Sequence, residues 1–494
     1  MTERVHQLAE LLADLPFHCI AGSLRCPVRN VSADSRHIAP GTLFVALRGL
    51  HADGHCFVDV ALDHGATVLV GEAFSPQLLQ RVHVEGQTVL QVPDSRQALA
   101  LIASAFYQHP SRHLHLIGIT GTNGKTTTAY IVESILQAAG HAVGVLGTMN
   151  YRYGSHRQAA VQTTPEALCL QQFLRQMVEA QMAYAVLEVS SHALAQVRVD
   201  ACSFETCVFT NLSRDHFDYH HTEEAYFAAK ARLFQDFPAR WHVLNVDDPY
   251  GHALLRTSRA RLLTYGLLSD AMLKPSMIQQ TAHGTEFTLS TTKGRLSIRS
   301  SLIGQYNMYN LLASIAVAIT LDVEAEAIMC GIARLRQIPG CLERIDAGQD
   351  FGVFVDYAHT PGALEQVLRA VRATTAGRLI TVFGCGGDRD PGKRPIMGKI
   401  ATTLSDYTVI TSDNPRTEDP QRIVNDIVAG VDATQRYTTM LDRCYAILHA
   451  LDMARSHDTV IIAGKGYEAS QVIGTTHLSF DDREVARAAL KRRC

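Results

Sequence analysis

The sequence predicts an α/β protein of three domains, with a mostly parallel central sheet that carries a P-loop-type glycine loop. The chain has 494 residues, which is too long for one hydrophobic core. Short hydrophobic runs alternate with helical patterns, as in parallel sheets covered by helices. A glycine-rich stretch, "IGITGTNGKTTTAY" (117–130), lies between a predicted strand and a predicted helix.

Two polar, proline-containing stretches mark the domain boundaries. "YQHPSRH" (107–113) precedes the first strong strand, and "RQIPGC" (336–341) separates a helical run from a new series of strands. The predicted domains are 1–110, 111–337 and 338–494.

Composition narrows the class of protein. A net charge of -3, 47% hydrophobic residues and 19% charged residues are typical of a soluble globular chain and argue against nucleic-acid partners. The first twenty residues predict an amphipathic helix and no signal peptide. "LLASIAVAIT" (311–320) is too short to span a membrane and predicts a buried helix. Eleven cysteines without a CxxC pair favour buried thiols in a reducing cytoplasm.

Strands are predicted wherever an apolar run ends in a polar or glycine-rich turn. In the middle segment these runs are 113–120, 183–190, 207–213 and 241–249, with a helix over 126–140. In the last segment they are 351–361, 378–390, 407–416 and 459–468. Four such turns on one parallel sheet would emerge at its carboxyl edge, which predicts a ligand site there.

The glycine loop has phosphate-binding chemistry. Its backbone N–H groups and the following helix dipole can hold phosphate oxygens, and Lys125 adds a positive charge. The hydroxyl of Thr126 or Thr127 can reach Mg²⁺. A tight turn without a ligand is the structural alternative. The Gly-Lys-Thr-Thr spelling between strand and helix favours the nucleotide site.

Glu188 and His216 follow predicted strands and are expected near the edge that carries the loop. A carboxylate and a neutral imidazole can hold a divalent ion that bridges ATP phosphates. Alone, His216 is better explained as a capping or core histidine. Its place after a strand, beside a nucleotide loop, favours the metal.

Seven motifs in one order resemble the Mur ligases of bacterial cell-wall synthesis: "GITGTNGKTTT", "EVSSHAL", "NLSRDHFDYH", "DYAHTP", "GCGGDRD", "DNPRTEDP" and "GKGYE". The resemblance runs through all three segments. It implies an N-terminal domain that binds the UDP end of the substrate, a central ATP-binding domain and a Rossmann-like C-terminal domain that binds an amino acid.

The resemblance also implies a reaction. With ATP and Mg²⁺, meso-diaminopimelate is joined to the γ-carboxylate of D-glutamate in UDP-MurNAc-L-Ala-D-Glu through an acyl phosphate. Arg416 in "DNPR" can hold the far carboxylate of diaminopimelate, which lysine lacks. The alternatives are an L-lysine-adding ligase, a folate polyglutamate synthetase and a catalytically weak substrate-binding homologue.

Position by position, the resemblance assigns five sets of residues. For ATP these are Gly121, Thr122, Asn123, Gly124, Lys125, Thr126, Thr127, Asn307, Asn310 and Asp356. For the UDP-substrate they are Ala33, Ser35, Leu50, His51, Ala52, Gln162, Thr163, Thr164, Ser190, Gln196 and Arg198. For diaminopimelate they are Arg389, Asp413, Asn414, Pro415, Arg416, Gly464 and Glu468. The implied catalytic residues are Lys125, Glu188, His216 and Lys230, and the implied magnesium ligands are Thr126, Glu188, His216 and a carbamylated Lys230.

Two positions depart from the family pattern. Cys341 stands where Gly-Arg-x-Glu usually has its arginine, a residue that would approach ATP. Tyr467 stands where Gly-Lys-Gly-His-Glu has its histidine, and a tyrosine cannot act as an imidazole base.

Overall fold

The computed structural model describes residues 5–49, 52–281 and 284–493. Helices and parallel-rich sheets alternate along the chain, so the predicted α/β class is confirmed. The chain falls into two compact units. The first consists of Met1–Thr120, His141–Cys207 and Ala229–Trp241, and the second of Gly121–Gly140, Val208–Ala228 and His242–Cys494.

The N-terminal part forms a five-stranded sheet in the order β2-β7-β6-β5-β4, in which only the β2–β7 pair is antiparallel. Its elements are β1 (His6–Gln7), α1 (Leu8–Leu11), β2 (His18–Ala21), β3 (Pro27–Val28), β4 (Asn30–Ser32), β5 (Thr42–Val45), α2 (Val58–Asp63), β6 (Ala66–Gly71), α3 (Pro76–Glu85), β7 (Thr88–Gln91) and α4 (Ser95–Phe106). Short 3₁₀ turns occupy Ser35–His37, Gly54–Phe57 and Pro110–His113.

The amphipathic helix predicted over the first twenty residues is wrong in extent, because α1 has only four residues. His6–Gln7 instead pairs with Pro27–Val28 as a small antiparallel ladder. Pro16 disfavours helical geometry at Leu15, which prevents the helix from continuing. The predicted apolar face is nevertheless buried, since Leu8 and Leu11 lie in the N-terminal core.

The central part forms an eight-stranded sheet in the order β11-β10-β9-β12-β8-β13-β14-β15, with β12 parallel to both β8 and β9. Its elements are β8 (His115–Thr120), α5 (Lys125–Ala138), β9 (Val143–Leu146), β10 (Asn150–Tyr153), β11 (His156–Ala159), α6 (Ala167–Glu179), β12 (Tyr184–Glu188), α7 (Ser191–Ala195), β13 (Phe204–Phe209), α8 (Phe217–His220), α9 (Glu223–Gln235), β14 (Ala239–Asn245), α10 (Pro249–Leu254), β15 (Arg261–Tyr265), β16 (Pro275–Thr281), β17 (Gly284–Thr291), β18 (Gly294–Ser300), α11 (Gln305–Thr320) and α12 (Ala325–Arg334).

Helix α11 contains the apolar run 311–320, and nearly all of that run is buried, as predicted. In the described residues, no helix combines the length and the apolar character needed to cross a membrane.

The C-terminal part is a six-stranded sheet in the order β19-β20-β24-β21-β22-β23, parallel from β20 to β23. Its elements are β19 (Glu343–Arg344), β20 (Gly352–Asp356), α13 (Pro361–Arg372), β21 (Leu379–Phe383), α14 (Lys393–Leu404), β22 (Tyr407–Thr411), α15 (Pro420–Val428), β23 (Tyr437–Met440), α16 (Arg443–Met453), β24 (Thr459–Ala463), β25 (Ser470–Ile473), β26 (Thr476–Ser479) and α17 (Asp482–Arg493). Separate apolar cores cover its two faces. The four predicted turns therefore leave one carboxyl edge.

Candidate active site

The glycine loop connects β8 to α5, and sterics require two of its glycines. Gly124 has φ +86 and directly precedes the start of α5 at Lys125. A Cβ on Gly124 would overlap Asn310 Oδ1, and a Cβ on Gly121 would overlap Thr210 Oγ1. Side chains are thus excluded at the N-terminus of α5, where backbone N–H groups and the helix dipole favour an anion.

Thr122 and Asn123 attach the loop to the segment that follows β13. Thr122 Oγ1 accepts a hydrogen bond from Ser213 N at 3.0 Å and lies 3.1 Å from the Tyr226 hydroxyl. Asn123 N donates to Asn211 Oδ1, and Asn211 Nδ2 donates back to Asn123 O, both at 3.0 Å. The loop is therefore held in shape by its own chain, which lowers the entropic cost of binding a ligand.

Lys125 keeps its ammonium group at the loop. Its Nζ donates to Gly121 O at 2.9 Å and to Thr122 O at 2.8 Å. Of the two candidate hydroxyl residues, Thr127 is buried and Thr126 is half-buried. A cationic group in this place suits the outer phosphates of a nucleotide.

A cavity of about 220 Å³ adjoins the loop. Three predicted ATP residues line it: Asn123, Gly124 and Asn310. Asn307 lies behind them, where its Oδ1 accepts from Asn310 Nδ2 at 3.1 Å and its Nδ2 donates to Ile303 O. Asn307 thus orients Asn310 and does not itself line the cavity.

Asp247 shapes the far wall of this cavity. Its carboxylate accepts hydrogen bonds from three successive N–H groups, Leu267, Leu268 and Ser269, and from the Tyr309 hydroxyl at 2.9 Å. Burial opposes ionisation, but these hydrogen bonds outweigh it and lower the pKa of Asp247 well below its usual range. The group is therefore a fixed anion that orders the wall.

Glu188 ends β12 and is held by a threonine that the sequence did not indicate. Its Oε1 accepts from Thr148 N at 3.1 Å and its Oε2 from Thr148 Oγ1 at 2.8 Å. Thr163 Oγ1 lies 3.2 Å from the same hydroxyl. Thr164 Oγ1 donates to Glu188 O at 2.8 Å and accepts from Ser190 N at 3.0 Å. The structure thus brings four predicted residues together.

Arg198 extends this network to the other predicted residues for the UDP-substrate. Its Nη1 donates to Thr164 O at 3.0 Å and its Nη2 to Gln196 Oε1 at 2.6 Å. Glu166 Oε1 lies 2.8 Å from Arg198 Nη2 and accepts from Gln162 Nε2 at 3.2 Å. Gln162 and Arg198, both predicted to contact the UDP-substrate, are thus joined through Glu166 in one hydrogen-bonded network.

The residues predicted for the uridine end are less closely grouped. Ala33 packs against the N-terminal core, Ser35 begins a 3₁₀ turn, and Ala52 is exposed. Leu50 and His51 lie outside the described residues. Their role in binding stays a prediction.

His216 has a positive φ of +57 and directly precedes α8. Its Nε2 lies 3.3 Å from Asp215 Oδ2. Burial opposes ionisation of Asp215, but the positive charges of His216, His359 and Lys393 outweigh it and lower its pKa to about 2. A carboxylate beside the ring fixes the orientation of the imidazole, as is common for metal-ligating histidines.

The predicted magnesium ligands differ in setting. Glu188 is 2% exposed and Lys230, on α9, is 1% exposed, which is the desolvation that carbamylation requires. Both belong to the first unit, whereas Thr126 and His216 belong to the second. Across the described ranges no three His, Cys, Asp or Glu side chains gather into a metal site. The magnesium site stays a prediction.

Residues from two loops meet at the carboxyl edge of the C-terminal sheet. Asn414 Nδ2 donates to Glu468 Oε2 at 2.8 Å, and Lys465 Nζ donates to Asn414 Oδ1 and to Glu468 Oε2, both at 3.0 Å. A Cβ on Gly464 would lie 2.7 Å from Asp413 Oδ2. Lys465 is fully buried and was missed in the sequence, although it lies within "GKGYE".

The two predicted arginines occupy different positions at this edge. Arg416 follows Pro415, is half-buried, and donates from Nη1 to Gly387 O at 2.7 Å. Arg389 is exposed, and its Nη1 lies 4.0 Å from Asp218 Oδ2. Arg416 is therefore held in place by the "GCGGDRD" turn, while Arg389 donates to Asp388 O at 3.4 Å from an exposed position.

Three family models match the chain in the order of the three predicted segments. They are the Mur ligase family catalytic domain over residues 27–107, the Mur ligase middle domain over 119–318 and the Mur ligase glutamate ligase domain over 341–466. The chain belongs to the Mur ligase family.

Several relatives of this Mur ligase carry the name UDP-N-acetylmuramoyl-L-alanyl-D-glutamate--2,6-diaminopimelate ligase. The protein from Geobacter metallireducens is 44% identical over 95% of each chain, and that from Geobacillus thermodenitrificans is 42% identical over 99% of this chain and 100% of its own. A solved structure of a ligase with that name superposes with a TM-score of 0.71 and 32% identity over 99% of each chain.

Cys341, the first of the two expected departures from the family pattern, lies in the turn before β19. Cys341 N donates to Ile338 O at 3.1 Å, and the next residue, Leu342, donates its N–H to Asp356 Oδ2. Arg344 cannot replace the missing arginine in the turn, because its side chain is exposed and 3.8 Å from Asp346.

Tyr467, the other departure, packs its ring 5.0 Å from that of Tyr357. It therefore has a packing role in place of an imidazole. Sequence reasoning missed Thr148, Lys465 and the cavity residue Asn245. A signal was available for Asn245, since it is a polar residue at the end of a predicted strand.

Proposed function

We propose that this Mur ligase uses ATP to join meso-diaminopimelate to the γ-carboxylate of D-glutamate in UDP-MurNAc-L-Ala-D-Glu. The observation that carries the proposal is that Arg416 and Glu468 lie in two loops at the same sheet edge, where Asn414 contacts Glu468. A guanidinium suits a carboxylate, and a carboxylate suits an ammonium group, so the two ends of an amino acid have partners. The names of relatives that are 41–46% identical support the same substrate.

The first chemical step activates a poor electrophile. An oxygen of the γ-carboxylate attacks the γ-phosphorus of ATP, the bond from that phosphorus to the β–γ bridging oxygen breaks, and ADP leaves. The product is an acyl phosphate. The loop N–H groups and Lys125 stabilise negative charge on the transferring group, which is where such catalysis gains most.

The second step forms the amide. The amine of diaminopimelate attacks the acyl carbon and gives a tetrahedral intermediate, which loses inorganic phosphate and a proton. Glu468 and Asn414 orient the amino acid, and Arg416 holds its far carboxylate. Holding the two reactants together makes the bimolecular step effectively unimolecular, and this supplies most of the gain in rate.

In this proposal Thr126, Glu188, His216 and carbamylated Lys230 would be the ligands of Mg²⁺. When bound, it would neutralise charge on the phosphates. Thr148 keeps the Glu188 carboxylate fixed, and Asp215 keeps the His216 ring fixed. The expected location is the cytoplasm, where ATP and UDP-linked substrates are available.

Phosphate release tests the proposal. Purified protein with ATP, Mg²⁺ and UDP-MurNAc-L-Ala-D-Glu should release phosphate rapidly only after meso-diaminopimelate is added. The product should have the mass of the UDP-linked tripeptide. Release that ignores the amino acid would contradict the proposal.

Cys341 supports one second candidate, a homologue that binds the UDP-substrate but turns it over poorly. This candidate predicts no phosphate release by the natural chain under any combination of substrates. Cys341→Arg would then restore release, because it returns a guanidinium to the turn beside the nucleotide site. Ser in place of Cys341 is the matched control and should restore nothing.

A further inference from the structure

A fully buried ion pair lies beneath the predicted diaminopimelate site. Arg443, at the start of α16, and Asp482, at the start of α17, are both 0% exposed. Arg443 Nε donates to Asp482 Oδ1 at 2.8 Å and Nη2 donates to Oδ2 at 2.7 Å, which is the bidentate arrangement. Neither residue belongs to the motifs or to any predicted ligand set.

The same guanidinium holds the backbone of two separate loops. Nη1 donates to Ser412 O at 3.2 Å, and Nη2 donates to Ala463 O at 3.0 Å. Ser412 directly precedes Asp413, and Ala463 directly precedes Gly464. Ser412 directly follows β22 and Ala463 ends β24, and these strands are not neighbours because β21 lies between them.

Stability alone does not explain such a pair. Two buried charges lose their hydration, and apolar residues of similar volume often give an equally stable protein. A guanidinium does what an apolar side chain cannot, because it joins two carbonyl groups with fixed geometry. The contact from Asn414 to Glu468 crosses between the same two loops, so its 2.8 Å distance depends on their spacing.

We infer that Arg443, oriented by Asp482, is a positioning residue that sets the spacing of the 412–416 and 463–468 loops for the incoming amino acid. This inference rests on the proposed function of that edge. Arg443 acts through Asn414 and Glu468 and does not touch the substrate. Its loss should therefore weaken the use of diaminopimelate specifically.

A second ion pair in the same sheet provides a matched control. Arg378 Nη2 donates to Asp458 Oδ2 and to Met453 O, both at 2.7 Å. Arg378 directly precedes β21 and Asp458 directly precedes β24, so this pair lies at the amino edge of the sheet, opposite the site. It is likewise an arginine–aspartate pair that binds a backbone carbonyl, but its arginine is 39% exposed and it lies at the other edge of the sheet.

The experiment compares Arg443→Lys and Asp482→Asn with Arg378→Lys in steady-state assays of phosphate release. Since a displacement of about 1 Å can cost up to about 100-fold in rate, we expect KM for diaminopimelate to rise by about tenfold or more in the first two variants. KM for ATP and for the UDP-substrate should stay within about twofold. Arg378→Lys should lower the melting temperature and leave all three KM values unchanged.

The outcomes separate the two claims. Wild-type protein without diaminopimelate-dependent release would contradict the proposed function. Wild-type activity with equal losses for all substrates in Arg443→Lys, or the same KM change in Arg378→Lys, would overturn the positioning role. Asp482→Glu keeps the negative charge, so its KM for diaminopimelate should rise less than that of Asp482→Asn.

If both variants at this pair fail to fold, hydrogen exchange of the wild-type protein decides. The amides of 412–416 and 463–468 should exchange as slowly as the strands they follow, since Arg443 holds both backbones. Fast exchange of these loops beside protected strands would show that the pair does not fix them, and the inference would fall.

Discussion

At the scale of single residues, we propose that the amino-acid specificity depends on Arg416. Its backbone has φ +51, and its guanidinium is held on the carbonyl of Gly387. The Arg416 side chain is thus oriented before the substrate binds. A lysine in the same place would offer a point charge without the planar fork that matches a carboxylate.

Arg416→Lys should raise KM for meso-diaminopimelate by about 10- to 100-fold, because a hydrogen bond to a charged group contributes about 1.5–3 kcal/mol. The values of KM for ATP and the UDP-substrate should not change. The control is Arg422→Ala, which removes an exposed arginine on the next helix, α15. Equal KM values for Arg416→Lys and wild type would remove Arg416 from the site.

Asp356 predicts a pH dependence of stability. Burial raises its pKa to about 7, against the opposing effect of hydrogen bonds from the N–H groups of Leu342 and Ala358. Between about pH 4 and pH 7 the folded chain keeps this proton and the unfolded chain does not, so the free energy of unfolding falls as pH rises. Above that range the penalty is constant, at roughly 4 kcal/mol.

Melting temperatures of wild type and Asp356→Asn, measured from about pH 5 to pH 8, isolate this effect from other titrations. Wild type should lose more stability than the variant over the range. Parallel curves would show that Asp356 is ionised throughout.

At the scale of elements, the β8–loop–α5 unit depends on glycine for contact as well as conformation. Gly124 and Gly140 lie before and after α5, with φ of +86 and +84. A Cβ on Gly124 would meet Asn310, whereas one on Gly140 would meet nothing within 4 Å. The two positions therefore share backbone strain and differ only in crowding.

Gly124→Ala should weaken ADP binding by tenfold or more, since the glycine faces the nucleotide cavity. Gly140→Ala should bind ADP like wild type. Both should lose about 1 kcal/mol of stability from the left-handed backbone, and Gly124→Ala should lose more because its Cβ overlaps Asn310. Calorimetric titration with ADP checks this, and equal affinities in the two variants would contradict the role of the loop.

The elements that sequence predicted best are the buried parallel strands and the helix α5, because uninterrupted apolar runs leave few alternatives. The antiparallel sheet β16–β18 was missed, although β18 alternates buried and exposed residues and a turn precedes it. The N-terminal helix was predicted to be too long because the apolar spacing was given more weight than the helix-breaking Pro16. Thr148 and Arg443 could not be found, since their partners are remote in sequence and only folding brings them together. Lys465 could have been found, because it lies three residues before Glu468 in the same motif.

At the scale of the whole molecule, three kinds of site lie on one chain that belongs to the Mur ligase family. An acyl phosphate hydrolyses readily, so wasteful turnover of ATP must be suppressed until the amine is present. We expect ADP formation to depend on both other substrates. Rapid hydrolysis with ATP alone, measured by a coupled assay of ADP, would contradict this.

The most direct measurement offers the protein an equimolar mixture of meso-diaminopimelate and L-lysine, with ATP, Mg²⁺ and UDP-MurNAc-L-Ala-D-Glu, and identifies the product by mass. We expect wild type to form the diaminopimelate adduct almost alone, because Arg416 can hold the second carboxylate of diaminopimelate. Arg416→Lys should show a smaller preference for diaminopimelate over lysine. A lysine adduct in excess would contradict the reading of the 413–416 loop and, with it, the proposed substrate.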